Sequence, residues 1–313
     1  MSDSNAPLRI ATRQSRLALW QAEFVAAQLR ARHPGLEVTL APMTTQGDRV
    51  LDRSLAEVGG KGLFIKELEI ALEEHRADIA VHSMKDVPAV MPSNMTIAAM
   101  LPRADAHDAF VSPKHASFES LPQGARIGTS SLRRQCQLKA ARPDLQIIPL
   151  RGNVDTRLRK LDAGQYDAII LAAAGLIRLG LQHRITRCID FDHSLPAVGQ
   201  GVVGVECRAD DARSQELVRA LDDSAARFCC EAERAFAVRL QGSCTSPIAG
   251  YAELQGNELF LRGVVGSEDG ATMYRDAARG PASGAHALGI ELADRLLAAG
   301  ADKLLAAQRG ESL

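Results

Sequence analysis

The sequence has no excess of charge of either sign, since 37 Lys and Arg residues stand against 38 Asp and Glu residues in a chain of 313. A formal net charge of −1 gives no general attraction to nucleic acid or to anionic membranes. We therefore expect neither as a partner. Any anion that this chain binds must be held by a local cluster of cationic side chains.

Long hydrophobic runs are also missing, and so is a secretion signal. The segment 1–7 is polar and leads directly into a strand pattern, with no basic segment followed by an apolar one. We expect a cytoplasmic protein. The fractions of hydrophobic residues (46%) and charged residues (24%) are typical of an ordinary globular chain, and the length allows two or three domains.

Cysteine is too sparse for a disulfide framework. The six cysteines are Cys136, Cys188, Cys207, Cys229, Cys230 and Cys244. No pair has the CxxC spacing, and no HxxxH occurs, so we expect no metal site and mostly buried, reduced thiols. Cys244 differs because it lies in a loop of small residues, where a reactive thiol would be accessible. From this pattern alone, an inert buried thiol is the more common outcome.

The first two thirds of the chain alternate short strand patterns with helical ones, which favours parallel sheets built from βαβ units. We predict strands over 8–11 and 37–40, with a helix between them that Ser15 caps. The helix is predicted to bury the apolar positions Leu17, Trp20, Phe24 and Leu29.

The same order of patterns occurs twice. The segment 9–12, Arg-Ile-Ala-Thr, has an echo in 126–129, Arg-Ile-Gly-Thr, and the segment 77–81 has an echo in 166–170. In both copies a helix precedes the last of these strands. The repeat predicts two similar α/β lobes. Residues 202–206 are predicted to return to the first lobe as an added strand.

The first copy contains a glycine-rich and polar insertion, 43–62, that is typical of a mobile loop over a cleft. Its Gly-Gly-Lys-Gly segment, 59–62, lacks the spacing of a phosphate-binding loop. Further along, a helix over 224–240 and three antiparallel strands indicate an α+β domain. The predicted strands cover 249–254, 259–265 and 273–277, and a last helix covers 286–299.

These patterns define the predicted domains. The first lobe is 1–101 with 202–220, the second lobe is 106–195, and the α+β domain is 223–313. The segments 103–108 and 194–201 join the two lobes, and two crossings of this kind are typical of a hinge.

The stretch 78–88 places several reactive groups directly after a strand pattern. A short apolar run that suits a buried strand is followed at once by His82, Ser83, Lys85 and Asp86. Ligands of open α/β folds bind at the carboxyl ends of such strands. On this stretch alone, the better explanation of Asp86 is that it begins a turn before Val87-Pro88. The second lobe has only Leu, Ala and Gly at the matching place, so one lobe alone carries the acid.

Several arginines fall where a helix does not favour them. Arg133 and Arg134 follow the polar segment 129–131, which is suited to capping a helix, and they would lie beside the positive end of the helix dipole. This placement costs roughly a few tenths of a kcal/mol per charge unless an anion is present. Arg16 after Ser15 repeats the pattern.

Arg157 behind a capping Asn153, with Arg151 just before it, is a third instance. Any one of these arginines could be an ordinary solvated surface charge. Three in matched positions of a duplicated fold indicate a polyanionic ligand, held in a cleft between the lobes.

Six longer motifs then carry a resemblance over nearly the whole chain. They are Arg9-Ile-Ala-Thr-Arg-Gln-Ser15, Gly59-Gly-Lys-Gly-Leu-Phe64, Val81-His-Ser-Met-Lys-Asp-Val-Pro88, Gly128-Thr-Ser-Ser-Leu-Arg-Arg134, Leu150-Arg-Gly-Asn-Val154 and Leu195-Pro-Ala-Val-Gly-Gln-Gly201. With these motifs in this order, the chain resembles the hydroxymethylbilane synthase family, also called porphobilinogen deaminase.

The resemblance implies two lobes like those of type II periplasmic binding proteins and a third domain that carries a cofactor loop. It implies that Cys244 holds a dipyrromethane cofactor through a thioether and that Asp86 is the catalytic acid. Besides Cys244, the residues implied to bind the cofactor are Lys85, Asp86, Thr129, Ser131, Arg133, Arg134, Arg151 and Gly152. The residues implied to bind substrate are Arg13, Ser15, Lys61, Phe64, Arg157, Arg178 and Gln200.

The implied reaction joins four porphobilinogen molecules head to tail, with loss of ammonia, and releases a linear tetrapyrrole by hydrolysis. The enzyme would be a monomeric transferase of porphyrin, haem and other tetrapyrrole biosynthesis. Two positions depart from the family's pattern. Ser243 replaces a glycine before Cys244. The segment 103–108 is less charged than the family's usual version, which puts His107, though not Arg103, in doubt as a functional residue.

An alternative of another class is a non-catalytic, two-lobe protein that binds anions. Arginines at helix N-termini of a repeated fold would suit such a receptor equally well. The lack of an export signal and the additional C-terminal domain count against it.

Overall fold

A computed structural model of the chain describes residues 6–45, 65–242 and 246–309. These residues form two compact units, Met1–Ala104 with Val202–Arg227 and Asp105–Gly201 with Phe228–Leu313. None of the helices in the described ranges is long and apolar enough to cross a membrane.

The described strands and helices alternate through the two lobes and then group in the C-terminal region. The strands are β1 (Leu8–Arg13), β2 (Val38–Met43), β3 (Ile79–Ser83), β4 (Met95–Met100), β5 (Asp108–Val111), β6 (Arg126–Gly128), β7 (Gln146–Ile148), β8 (Ala168–Ala172), β9 (Arg187–Ile189), β10 (Val203–Arg208), β11 (Ile248–Gln255), β12 (Glu258–Gly266) and β13 (Met273–Pro281). The α-helices are α1 (Arg16–Arg32), α2 (Lys66–Glu73), α3 (Leu132–Ala141), α4 (Val154–Asp162), α5 (Ala173–Arg178), α6 (Ala212–Arg219), α7 (Ser224–Arg239), α8 (Ala285–Leu296) and α9 (Asp302–Arg309).

The first unit is built on a five-stranded sheet in the order β2-β1-β3-β10-β4. β1 pairs in parallel with both β2 and β3, which places the carboxyl ends of these strands at one edge of the sheet. β10 lies antiparallel between β3 and β4. The prediction that the chain returns here to add a strand is confirmed.

The second lobe has a sheet of the same construction, in the order β7-β6-β8-β5-β9, with β6 parallel to β7 and β8 and β5 antiparallel to β8. The repeat extends to an ion pair. Arg9 Nη2 lies 2.8 Å from Asp78 Oδ1 in the first lobe, and Arg126 Nε lies 3.4 Å from Asp167 Oδ2 in the second. The backbone N–H of each arginine donates to the same aspartate over 2.8 Å. The two similar α/β lobes predicted from the sequence are therefore confirmed.

The helix α1 begins as predicted but buries a different face. Ser15 is its N-cap, and the Ser15 Oγ accepts a hydrogen bond from the Ala18 N–H over 3.3 Å. The buried residues are Ala18, Gln21, Ala22, Val25, Ala26 and Leu29. Of the predicted core positions only Leu29 is fully buried, whereas Phe24 is 38% exposed and stacks on Trp20. Small alanines let the helix lie close to the sheet, so the larger apolar side chains did not indicate which face is buried.

The C-terminal region is a three-stranded antiparallel sheet, β11-β12-β13, covered by helices. Phe236 of α7 is fully buried in its core. Gly289 of α8 lies so close to α7 that a Cβ there would meet the Ala232 carbonyl oxygen. The predicted α+β class is confirmed, although the last helix ends at Leu296, and α9, which follows Gly300 at φ 114°, was not predicted. The proposed domain boundaries stay predictions.

Candidate active site

A pocket in the first unit lies at the carboxyl ends of β1 and β3, beside the N-terminus of α1. Its polar lining residues are Arg13, Ser15, Gln21, His82, Ser83 and Asp86. Five of these come from the end of β1, the start of α1 and the end of β3, and Asp86 comes from the turn that follows β3. The parallel pairing of β1 with β3 is what brings them together.

Asp86 ends a short 3-10 turn, Met84–Asp86, that follows β3 directly. The Met84 N–H donates to the Val202 carbonyl oxygen over 3.0 Å, and Val87 N–H donates back to Met84 over 3.1 Å. Met84 itself is 1% exposed and lies against Gly204, where an added Cβ would be 2.2 Å from its sulfur. The turn is thus fixed by β10, and the half-buried Asp86 is held at the pocket wall.

The N-terminus of α1 lies beside the pocket and offers it groups suited to binding an anion. Ser15 satisfies one backbone N–H of the first turn, and the turn holds no acidic residue. Arg13 ends β1 and lines the pocket next to Ser15. Free helix N–H groups with a neighbouring guanidinium favour a carboxylate or phosphate. Lys85, implied by the resemblance, lies half-buried in the turn before Asp86.

Two polar pairs at this pocket were not predicted. The Gln21 side chain is 2% exposed, and its Nε2 donates to the Ser83 Oγ over 2.8 Å. His82 Nε2 lies 2.7 Å from Glu206 Oε2, with the two side chains 3% and 0% exposed. Gln21 has one sequence signal, a polar residue at an inward position of a helix whose core face is otherwise apolar. Glu206 has none.

The buried Glu206 also affects a neighbouring carboxyl. Burial raises the pKa of Glu69 on α2, and the charge of Glu206 raises it further, while His82 acts in the opposite direction. One oxygen of Glu206, Oε1, has no hydrogen-bond partner among the described residues. The three groups form an electrostatically coupled cluster beside the pocket.

In the second lobe, Arg133 and Arg134 of α3 are buried, at 5% and 6% exposure, and both bind Asp108. Arg133 Nη1 donates to Asp108 over 2.8 Å, and Arg134 Nη2 donates to it over 2.6 Å. Burial alone would raise the pKa of Asp108, but the two guanidinium groups outweigh it and hold that pKa far below its usual range. The anion that compensates these misplaced arginines is therefore a side chain of the same lobe.

Gln200 and Ser194 complete this buried cluster. Ser194 Oγ donates to Asp108 over 2.7 Å, and Gln200 Nε2 donates to Asp108 over 3.1 Å and to the Ala106 carbonyl over 2.6 Å. Gln200 is 1% exposed. The structure thus places Gln200, implied to bind substrate, within the same network as the two arginines.

The arginines around α4 are more accessible. Asn153 is the N-cap, as predicted, and its side chain accepts from Thr156 N–H over 2.9 Å. Arg157 is half-buried, and its Nε donates to the Gly152 carbonyl over 2.7 Å. Arg151 is also half-buried and lies just before the cap. Gly152 has φ 109°, a conformation that favours glycine.

Thr129, Ser131 and Arg178 are the remaining implied residues of the second lobe. Thr129 Oγ1 accepts from the Ser131 N–H over 3.2 Å, and Ser131 is the N-cap of α3. Arg178 Nη2 donates to the Gly201 carbonyl over 2.7 Å, and burial lowers the pKa of Arg178 to about 10. Lys61, Phe64 and Cys244 lie outside the described residues.

Comparison with solved structures gives similarity to periplasmic binding proteins. The periplasmic VFT2 domain of BvgS from Bordetella pertussis is 13% identical, with 68% of this chain and 85% of that chain covered and a TM-score of 0.43. The methionine-binding protein MetQ is 16% identical, with 70% and 90% covered and a TM-score of 0.45. A periplasmic substrate-binding protein of an ABC transporter from Coxiella burnetii is 17% identical, with 70% and 94% covered and a TM-score of 0.44.

Two family models match the chain. Residues 8–216 match the dipyromethane cofactor binding domain of porphobilinogen deaminase, and residues 227–298 match the C-terminal domain of porphobilinogen deaminase. The first match includes the turn that carries Asp86, the pair Arg133 and Arg134, and the pair Arg151 and Arg157. Since the matched residues make up most of the sequence, the chain belongs to the porphobilinogen deaminase family.

Proposed function

We propose that this chain is a hydroxymethylbilane synthase, which deaminates four porphobilinogen molecules and joins them head to tail into a linear tetrapyrrole. The observation that carries the proposal is the carboxylate of Asp86, the one acid among the described residues that line a pocket with Arg13 and the start of α1. Such a pocket suits a substrate with a cationic aminomethyl group and two carboxylates.

Asp86 is proposed as the group that exchanges protons and stabilises charge. Loss of ammonia from the aminomethyl group leaves a methylene carbon conjugated with the pyrrole, and the positive charge spreads to the pyrrole N–H. A carboxylate that accepts a hydrogen bond from this N–H stabilises the charge. The new carbon–carbon bond then releases a proton from the attacking pyrrole carbon. Asp86 is the base we assign to take it up and pass it to solvent.

The cationic groups are proposed to bind the acetate and propionate chains. In the first lobe these are Arg13 and the N–H groups of α1, with Ser15 at the cap. In the second lobe we rank Arg151 and Arg157 above Arg133 and Arg134, because the latter two already neutralise Asp108. Each added ring brings two more carboxylates, which explains why a chain of near-zero net charge needs several such sites.

We propose that the cofactor of this family binds in the pocket of the first lobe, whose polar residues suit it. Asp86 would accept a hydrogen bond from a pyrrole N–H, and Arg13 and Ser15 would bind carboxylates. We propose that the cofactor is dipyrromethane and that the thiol of Cys244 holds it as a thioether. When bound, the dipyrromethane supplies the free pyrrole carbon to which the first substrate is added.

We further propose a monomeric, cytoplasmic enzyme of haem biosynthesis. Turnover is tested by incubating the full chain with porphobilinogen and following ammonia and linear tetrapyrrole together. Asp86→Asn should retain its fold and lose at least ~100-fold in kcat. Glu23→Gln, an exposed acid on α1, is the matched control and should be unchanged. A parent chain that releases neither product would refute the function, whereas near-normal turnover by Asp86→Asn would refute only the role of Asp86.

A further inference from the structure

Three potential metal ligands meet in the second unit, and none of them is among the residues assigned above. Asp105 and His107 precede β5, and Cys188 is the central residue of β9. β9 pairs with β5 so that Cys188 lies opposite Ala109. The spacing along the chain did not predict this cluster, because 83 residues separate Cys188 from Asp105 and only the sheet brings them together.

The donor atoms are already close. His107 Nδ1 lies 2.7 Å from one carboxylate oxygen of Asp105, and Cys188 Sγ lies 3.9 Å from the other. One nitrogen, one oxygen and one sulfur of the three residues lie within 4.8 Å of one another. In a tetrahedral zinc site, bond lengths of about 2.0–2.3 Å place the donors about 3–4 Å apart. Small side-chain rotations would suffice to reach this arrangement.

The surrounding contacts hold the ligands in place. The His107 ring stacks on Phe191 at 4.0 Å with an interplanar angle of 8°, and Phe191 contacts Tyr251 of β11 at 4.6 Å. The backbone N–H of His107 donates to the Asp105 carboxylate over 2.8 Å. The next residue, Asp108, is fully buried and anchored by two arginines. A fixed imidazole beside a carboxylate and a thiol loses little freedom on binding a metal.

The chemistry of the donors selects the ion. A thiolate, an imidazole and a carboxylate together suit a borderline-soft divalent cation, of which zinc is the common tetrahedral case. The side chains of Asp105 and His107 are 33% and 34% exposed, so an ion can reach them from solvent. The charge balances, since the cation replaces the thiol proton of Cys188, which passes to solvent, and the carboxylate neutralises the second positive charge.

We propose that Asp105, His107 and Cys188 form a zinc site with the fourth position open to water. His107 contacts Phe191 and Phe191 contacts Tyr251, so a bound ion would brace the second lobe against the C-terminal sheet within this unit. The site would give a role to His107, which the resemblance left in doubt as a functional residue. It does not depend on porphobilinogen turnover.

The test is titration of the full chain, after treatment with a chelator, with ZnCl₂ by calorimetry and with CoCl₂ by absorption. We expect one zinc per chain and a sulfur-to-cobalt charge-transfer band. Cys188→Ser and His107→Gln should each weaken zinc binding at least ~10-fold, and Cys188→Ser should remove the band. His183→Gln, an exposed histidine of the same lobe, is the matched control and should change neither.

The absence of zinc uptake by the parent chain would overturn the proposal, as would unchanged binding in Cys188→Ser. If circular dichroism shows that either variant does not fold, Asp105→Asn is measured in its place, with the same expected loss of affinity. All readouts are metal binding, so their outcome is separate from whether the chain converts porphobilinogen.

Discussion

Glu206 Oε2 lies 2.7 Å from His82 Nε2, and both side chains are buried beneath the pocket that holds Asp86. A carboxylate and an imidazole removed from water depend on each other for their hydrogen bond. Because 124 residues separate them, the pair also ties β10 to β3 just before the turn of Asp86.

The pair predicts a graded loss of stability. Glu206→Ala leaves His82 without its buried partner and should cost about 3–5 kcal/mol, whereas Glu206→Gln retains the hydrogen bond and should cost clearly less. Urea unfolding measures both. Glu74→Gln, in an exposed ion pair with Arg76, is the control and should cost less than about 1 kcal/mol. If Glu206→Ala and Glu206→Gln lower the free energy of unfolding by the same amount, the hydrogen bond to His82 is not what stabilises the fold.

The depressed pKa of Asp108 predicts a specific loss of stability in acid. In the unfolded chain Asp108 takes up a proton near its ordinary pKa of about 3.9, while in the folded lobe Arg133 and Arg134 keep it ionised to much lower pH. The stabilisation is complete above pH ~4 and decreases as the pH falls below that value, because only the unfolded state gains the proton.

Asp108→Asn should therefore cost about 3–5 kcal/mol at neutral pH, and this cost should shrink as the pH falls from ~4 towards 2. Urea unfolding of parent and variant across this range measures the difference. Asp144→Asn, whose carboxyl is bonded to Arg142 near the surface, is a milder control. A cost that does not vary with pH would show that the charge of Asp108 is not what stabilises the lobe.

The contact between Gly204 and Met84 predicts that the turn of Asp86 tolerates no side chain beneath it. A Cβ at Gly204 would lie 2.2 Å from the Met84 sulfur, so Gly204→Ala should displace Met84 and cost about 1–3 kcal/mol. We expect turnover to fall with it, because Asp86 ends the same turn.

The double variant Gly204→Ala with Met84→Ala relieves the collision and provides the control for this prediction. Relative to Met84→Ala alone, the added alanine at Gly204 should then cost little in thermal or urea unfolding. If Gly204→Ala lowers the free energy of unfolding as much in the Met84→Ala background as in the parent chain, the loss of stability comes from the backbone of β10 and not from Met84.

Local signals in the sequence were sufficient for much of the fold. The echo of Arg9 in Arg126 predicted the repeat, and each arginine forms an equivalent ion pair in its own lobe, Arg9 with Asp78 and Arg126 with Asp167. Ser15 and Asn153 act as helix caps as predicted, because capping depends on residues within one turn. The prediction of which face α1 buries was wrong, because that face depends on how closely the helix packs on the sheet.

The sequence could not predict the partner of a charged side chain when that partner lies in a distant segment of the chain. Arg133 and Arg134 were correctly singled out as poorly placed for a helix start, and the sequence suggested a bound anion. The structure supplies Asp108, on a strand that precedes the helix by more than twenty residues along the chain. Nothing local to α3 indicates that carboxylate. For the same reason Glu206 could not be assigned to His82 from the sequence.

The central claim is that this chain is a synthase that carries its own pyrrole primer, and the intact mass of the purified full chain tests it most directly. We predict a parent mass that exceeds the sequence mass by two pyrrole units, the same increment in Asp86→Asn, and the bare mass in Cys244→Ser. A parent chain at the bare mass, as expected of a non-catalytic anion-binding protein, would contradict the claim.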